Sequence, residues 1–179
     1  DNHASYHEGG WNVGSDKSGI HWVDGDMNIP NNGVTLSGLY YVEGDFKATG
    51  DTFALDHATV VATGTIIIKA DRVPMSTWEN DPWGVALYTT KYDPSPPCVA
   101  CKKYNDMMAS GEYPGIYMKG DSDRETGILY APWSRICLDA DDVEVYLGGA
   151  VIGDSIGIRG DYFQLEPWEP PGGAVGELE

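Results

Sequence analysis

The sequence has few basic residues, and this shortage is its clearest compositional feature. It contains 11 Lys and Arg against 28 Asp and Glu, which leaves a formal net charge of −17 at pH 7. Binding to nucleic acid needs a basic face for the phosphates, and docking on an anionic membrane needs clustered Lys and Arg. We therefore exclude both partners and expect a strongly solvated, acidic surface that can attract hard cations such as calcium.

Long apolar runs are also absent. No stretch approaches the roughly 18 consecutive apolar residues of a membrane-spanning helix, so we predict no membrane insertion by this chain. Phe is scarce, at three, whereas Gly numbers 23. Because Gly interrupts helices and long strands, this balance predicts many turns and short strands. The first residue is Asp1 rather than Met, so we expect a processed product or an excised piece.

Familiar catalytic and metal motifs are missing as well. The sequence has no G-x-S-x-G, no P-loop and no H-E-x-x-H. Cys98 and Cys101 form a C-x-x-C pair and Cys137 stands alone, so no second pair completes a zinc site. Lys102 occupies the place where a haem attachment motif needs His. We expect no cofactor except calcium, and one disulfide among the three cysteines in an oxidising, extracellular compartment.

What the sequence does contain is a short internal repeat. Gly25, Gly44, Gly64 and Gly84 recur at nearly equal intervals of about 20 residues. The Gly-Asp turn of the segment 42–45 recurs at 23–26, 118–121 and 151–154. A fixed period built from strand-sized pieces is typical of a solenoid. A β-sandwich also has closely spaced short strands, but the constant register favours a right-handed parallel β-helix with coils of about 20 residues.

The repeat divides the chain into three parts. We predict a lead-in or cap over 1–19, a β-helix over 20–164 and a tail rich in Pro and Gly over 165–179. A loop inserted between coils, at 91–114, carries several prolines and the C-x-x-C pair. An open solenoid end needs a cap or a partner chain, and the lead-in and the tail are our candidates for that role.

The alternation of apolar residues predicts which positions face the core. We expect Tyr41 or Val61 and Phe46 or Ile66 to point inward and to stack in columns at the strand spacing. Ile136 and Leu138 flank Cys137, so Cys137 faces outward if its neighbours face inward. It can then meet Cys98 or Cys101 if the inserted loop folds over that face. A local Cys98–Cys101 bridge is the alternative, because pairing depends on distances that the sequence does not give.

Two segments carry a family resemblance. The segment 127–132, GILYAP, and the segment 149–153, GAVIG, resemble the closing run of a C-terminal β-helical domain in bacterial PilX-type, pilus-associated cell-surface proteins. The segment 38–45, GLYYVEGD, is similar to the opening coil of the same domain. The resemblance implies a right-handed β-helix on a pilus or another cell-surface protein. It implies no catalytic residues.

Acidic turns are the candidate sites for chemistry. Asp139, Asp141 and Asp142 follow a predicted strand, and Asp121 and Asp123 form another acidic turn. Carboxylates grouped on a solenoid face can bind calcium or perform acid–base chemistry, as in β-helices that cleave polysaccharides. The same residue type is also what turns require.

The sequence therefore leads to one main functional hypothesis and two alternatives. We expect a non-enzymatic extracellular module, structural or adhesive, within a pilus, filament or other cell-surface assembly. Its expected partner is a second copy or another surface or pilin-like chain, and glycans can stack on its tryptophans. The alternatives are a carbohydrate-active β-helix, either lyase or hydrolase, and a calcium-stabilised adhesin.

Overall fold

A computed structural model describes residues 4–78, 84–93, 101–121 and 125–167. In these ranges the chain winds into a parallel β-solenoid of about seven stacked turns with a single helix, which confirms the predicted parallel β-helix. The elements are β1 Ser5–Glu8, β2 Trp11–Asn12, β3 Lys17–Asp24, β4 Met27–Ile29, β5 Val34–Val42, β6 Phe46–Ala48, β7 Phe53–Ala62, β8 Ile66–Arg72, β9 Val85–Thr89, α1 Tyr104–Ser110, β10 Ile116–Asp121 and β11 Glu125–Pro167.

The strands form two tracks that run along the solenoid. The odd-numbered strands pair in order with one another and then with β11, and the even-numbered strands do the same. We call the odd track the first face and the even track the second face. Tyr41 pairs with Val61, so one step of the repeat in the sequence is one coil of the solenoid. The predicted lead-in contains β1 and β2, which pair with β3 and β4 as a first coil.

The core consists of inward-facing columns. On the second face Met27, Phe46, Ile66, Ile116 and Ile136 lie in register and are fully buried. Each large apolar side chain removed from water in this way stabilises the fold by about 1.5–3 kcal/mol. The prediction that Phe46 and Ile66 face inward is therefore confirmed.

On the first face the inward prediction was wrong by one residue. Tyr40 and Val60 are fully buried, whereas Tyr41 and Val61 lie on the outer side and are half-buried. Successive strand residues point to opposite faces, so a shift of one residue exchanges inside and outside. Because Tyr follows Tyr and Val follows Val here, the apolar pattern could not distinguish the two arrangements.

The Gly-Asp motif joins one coil to the next at two turns, those of 23–26 and 42–45, whereas the segments 118–121 and 151–154 lie within β10 and β11. The Asp26 carboxylate accepts a hydrogen bond from the Asp45 backbone N–H at 2.9 Å, and the Asp45 carboxylate accepts one from the Thr65 N–H at 2.9 Å. Gly44 is required there because a β-carbon at this position would lie 2.7 Å from the Gly25 carbonyl carbon. The motif thus satisfies turn backbone groups across coils, as turn chemistry predicts.

The insertion between β9 and β10 packs on the outside of the second face. Met107 of α1 and Cys101 form a small apolar cluster with Ile67, Tyr117 and Cys137, which are outward-facing residues of three coils. A disulfide joins Cys101 to Cys137, with 5.5 Å between the Cα atoms. This disulfide decides which of the pairings left open by the sequence is formed. Cys98 lies outside the described residues. In the described ranges no helix is long and apolar enough to cross a membrane.

Candidate functional site

The outer side of the first face carries a column of mostly aromatic residues. These residues occupy the same position in six successive coils: Tyr6, Trp22, Tyr41, Val61, Tyr88 and Tyr130. We call this column the aromatic ladder. With strands about 4.8 Å apart, its five steps extend over roughly 24 Å.

Neighbouring rings of the ladder contact each other. The Trp22 ring centroid lies 6.5 Å from that of Tyr6 and 5.4 Å from that of Tyr41, with interplanar angles of 70° and 76°. Tyr88 and Tyr130 stack at 5.3 Å. Edge-to-face and offset-stacked pairs of this kind contribute about 0.5–1.5 kcal/mol beyond the burial of area. Part of the ladder's role is therefore to hold consecutive coils together.

The ladder is most open to solvent at its first two rings, and its other four members are half-buried. Tyr6 is 60% exposed and Trp22 is 45% exposed. In the adjacent column Ile20, Leu39 and Ile128 are apolar and half-buried, whereas Thr59, which follows Leu39 in register, is polar and buried. Exposed apolar side chains that contact each other, as Tyr6 and Trp22 do, can form an interaction surface. The second face differs, because the insertion and its disulfide pack on its outward residues Ile67, Tyr117 and Cys137.

Carboxylates line one side of the ladder near the N-terminal end. Glu8 pairs with Asp24, and Glu43 occupies the same position one coil later. The Tyr6 hydroxyl donates a hydrogen bond to the Asp24 carboxylate at 3.0 Å. This hydrogen bond raises the pKa of Tyr6, and nearby carboxylates act in the same direction. Aromatic rings beside hydrogen-bond acceptors of negative charge suit neutral polyhydroxyl or cationic ligands and repel anionic ones.

The N-terminal end of the solenoid is closed by stacked rings. His7 lies on Trp11 with 3.7 Å between centroids, and its Nε2 is 3.1 Å from Nδ1 of His21. The other His21 nitrogen, Nε2, lies 2.9 Å from the Ser18 carbonyl oxygen. A carbonyl only accepts, so Nε2 of His21 donates to it; Nδ1 of the neutral ring then accepts from His7. The arrangement needs Nδ1 of His21 to be free of a proton, so that it can accept from Nε2–H of His7.

We expect this closed end to loosen as pH falls. Burial, with His21 and Lys17 nearby, lowers the pKa of His7 below its ordinary value of 6.5. A lowered pKa means that the contribution of His7 to stability is complete above pH 6.5 and is lost as pH falls below that value. Melting temperatures measured from pH 8 to pH 5 should fall less steeply in His7→Gln than in the native chain. Identical slopes would contradict the assignment.

Of the predicted acidic residues, the structure describes the side chain of Asp139. Asp139 is only 1% exposed, and the Tyr117 hydroxyl donates a hydrogen bond to its Oδ2 at 2.7 Å. Nη1 of Arg159 lies 3.8 Å from its Oδ1. Asp139 is thus buried and hydrogen-bonded rather than displayed on an open face. Asp123 and the side chains of Asp121, Asp141 and Asp142 lie outside the described part of the chain.

A metal site therefore stays a prediction. Among the residues that the structure describes, no group of three or more His, Cys, Asp or Glu is placed to hold a metal ion. The carboxylates beside the aromatic ladder were not singled out from the sequence. The sequence did contain a pattern that could have identified them: Glu8, Asp24 and Glu43 each come two positions after a member of the aromatic ladder.

Comparison with known proteins adds no relative. No family model, no curated protein and no solved structure matches this chain. The fold and the site define the class on their own: a β-solenoid with one outer face covered by a disulfide-linked insertion and the other presenting an exposed aromatic ladder.

Proposed function

We propose that this chain is a non-enzymatic extracellular module, structural or adhesive, that serves as a subunit or display domain of a pilus, filament or other cell-surface assembly. The observation that carries the proposal is the aromatic ladder. A solenoid holds its side chains at a fixed spacing, so six coils present one rigid, elongated surface. Such a surface suits an extended partner better than a small molecule.

The cysteine chemistry supports the extracellular part of the proposal. Disulfides persist in oxidising compartments and are rare where thiols are kept reduced. The Cys101–Cys137 bond holds the insertion on the second face. An insertion held covalently resists local opening, which is the step that exposes a loop to proteases outside the cell.

The charge balance supports a particular kind of partner. The net charge of −17 and the carboxylates beside the ladder disfavour acidic polysaccharides and nucleic acid. A neutral or amino-bearing glycan can stack on Trp22 and the tyrosines while its hydroxyl or ammonium groups bond to Asp24 and Glu43. A surface or pilin-like protein with an apolar strip fits the same face. The enzymatic alternative gains no such support, because Asp139, one of its proposed acids, is buried.

The first test is location. Gold-labelled antibodies against the folded chain should decorate the surface of intact cells that produce it, and the labelled structures should show whether it belongs to a filament. Label confined to the cell interior would contradict the proposal. So would turnover of a polysaccharide that is lost in Asp139→Asn.

The second test is the ladder itself. Trp22→Ala should weaken binding of the purified chain to cell surfaces or to immobilised neutral glycans by about tenfold or more, because exposed Trp residues often dominate such contacts. Trp133→Ala is the matched control, since Trp133 is 60% exposed but lies off the ladder. Equal losses in the two variants, with unchanged melting temperatures, would show that the ladder is not the binding surface.

A further inference from the structure

Three stripes of different chemistry lie side by side on the outer side of β3 and β5. Residues two apart on a strand point to the same side and lie about 6.6 Å from each other, while successive coils are about 4.8 Å apart. The stripes consist, in order along the strands, of Ile20 and Leu39, of Trp22 and Tyr41, and of Asp24 and Glu43. A ligand lying on these coils therefore meets an aliphatic, an aromatic and an anionic stripe.

The anionic stripe is confined to one end of the aromatic ladder. Glu8, Asp24 and Glu43 are exposed in the first three coils, and the next two positions in register are Thr63 and Thr90, which are exposed and uncharged. None of these five positions holds a Lys or Arg. This end of the ladder therefore attracts positive charge more strongly than the rest. We call the three carboxylates and the rings beside them the anionic strip; the rings are Tyr6, Trp22 and Tyr41.

The chemistry of the anionic strip favours a ligand that is cationic at its edge and apolar on one face. An indole is the best ring for cation–π attraction of an ammonium group, and Trp22 is exposed. The carboxylates of Asp24 and Glu43 attract the same charge, while the rings and the aliphatic stripe need an apolar face. An amino sugar combines both properties, because its ring presents C–H groups on a face and carries its ammonium and hydroxyl groups at the edge.

An extended basic peptide fits this surface less well. Peptides that bind to a sheet in extended form add to a free strand edge, where main-chain hydrogen bonds supply the affinity. Both edges of β3 and of β5 are already paired, since β3 lies between β1 and β5, and β5 lies between β3 and β7. A peptide laid across these strands gains no such main-chain bonds, whereas a sugar chain needs none and keeps its outer hydroxyl groups in water.

We propose that the anionic strip binds a polysaccharide that carries free amino groups, an inference that rests on the surface role proposed above and narrows its ligand. Sugar faces stack on Trp22 and its neighbouring rings, and the ammonium groups lie against Asp24 and Glu43. The net charge of −17 adds a long-range attraction for such a polymer. Because the opposite charges meet at an exposed surface, salt screens them, and binding weakens as the salt concentration rises.

Isothermal titration calorimetry of the full chain with glucosamine oligosaccharides and their N-acetylated counterparts tests the inference. We expect N-acetylation to weaken binding by about tenfold, and Asp24→Asn combined with Glu43→Gln to weaken binding of the amino form by a similar factor while leaving the acetylated form unchanged. The matched control combines Asp71→Asn with Glu112→Gln, which removes two exposed carboxylates away from the first face and should leave both affinities unchanged. Circular dichroism confirms that each variant is folded.

Four results would overturn the inference. They are equal affinity for the two oligosaccharides, binding of neither, equal losses in the strip variant and its control, and tighter binding of oligolysine than of the amino sugar, which would assign the strip to a basic peptide. Each of them leaves the proposed surface role standing, because the antibody experiment and the binding of Trp22→Ala to cells test that role separately. Label confined to the cell interior would contradict the surface role whatever the oligosaccharides do.

Discussion

Replacing both Cys101 and Cys137 with Ala should lower the free energy of unfolding by about 3–4 kcal/mol. The bond closes a loop with a sequence separation of 36 residues, and the entropy that such a loop removes from the unfolded chain corresponds to roughly this amount. The insertion should also loosen on the second face, because the disulfide is the covalent link that holds it there. Urea unfolding monitored by Trp fluorescence measures the first effect.

Detachment of the insertion from the second face can be measured separately from the loss of stability. Ile67 and Tyr117, which are fully buried, would become solvent-exposed if the insertion left the second face. Binding of a hydrophobic dye should therefore rise under conditions in which far-ultraviolet circular dichroism still reports a folded solenoid. A rise in dye binding that coincides with the loss of the circular dichroism signal would mean that the insertion and the coils unfold as one unit.

The control for this experiment is Cys98→Ala. It leaves Cys101 and Cys137 paired and should keep the stability of the native chain. Titration of free thiols under denaturing, non-reducing conditions should detect one thiol per molecule of the unsubstituted chain and none in Cys98→Ala. A large destabilisation by Cys98→Ala would show that Cys98 takes part in the disulfide.

Asp139→Ala should lower the free energy of unfolding by about 2–3 kcal/mol. The substitution removes the acceptor of the buried Tyr117 hydroxyl and the negative charge beside Arg159. Breaking a buried ion pair costs up to about 3–5 kcal/mol, but Arg159 is partly exposed, so solvent compensates for part of the loss. Thermal unfolding of the variant against Asp154→Ala, which removes an exposed carboxylate of β11, measures the difference.

The same variant tests the calcium hypothesis at this residue. If Asp139 only stabilises the packing under the insertion, its replacement should cost the same stability in calcium and in chelator. A ligand that binds the folded chain raises its melting temperature. A calcium-dependent rise that occurs in the native chain and disappears in Asp139→Ala would restore Asp139 as a metal ligand.

The burial of Asp139 is an outcome that could not be predicted from the sequence. An acidic residue after a strand is most often a solvated turn residue, and nothing in its neighbourhood in the sequence indicates otherwise. Its partners come from other coils, since Tyr117 belongs to the coil before it and Arg159 to the coil after it. Tyr117 in turn packs against the insertion, and that contact joins segments far apart in sequence.

The aromatic ladder shows the same limit on the other face. Trp22, Tyr41 and Tyr130 stand out in the sequence, but their common column appears only when the register of each strand pair is known. Consecutive apolar residues such as Tyr40 and Tyr41 satisfy either orientation. The orientation is set by the packing of Tyr40 and its neighbours against the other inward columns, which is a property of the assembled coil.

By itself, the sequence determined the solenoid. Regularly spaced glycines, Gly-Asp turns and strand-sized apolar segments each act over a few residues, so they encode one coil and its repetition without reference to the rest of the chain. The tertiary structure alone decided which residue of each apolar pair faces outward, which cysteine pairs with Cys137, and which carboxylate is buried. Those outcomes depend on free energies of contact between coils and the insertion, and such energies exist only once the chain has stacked.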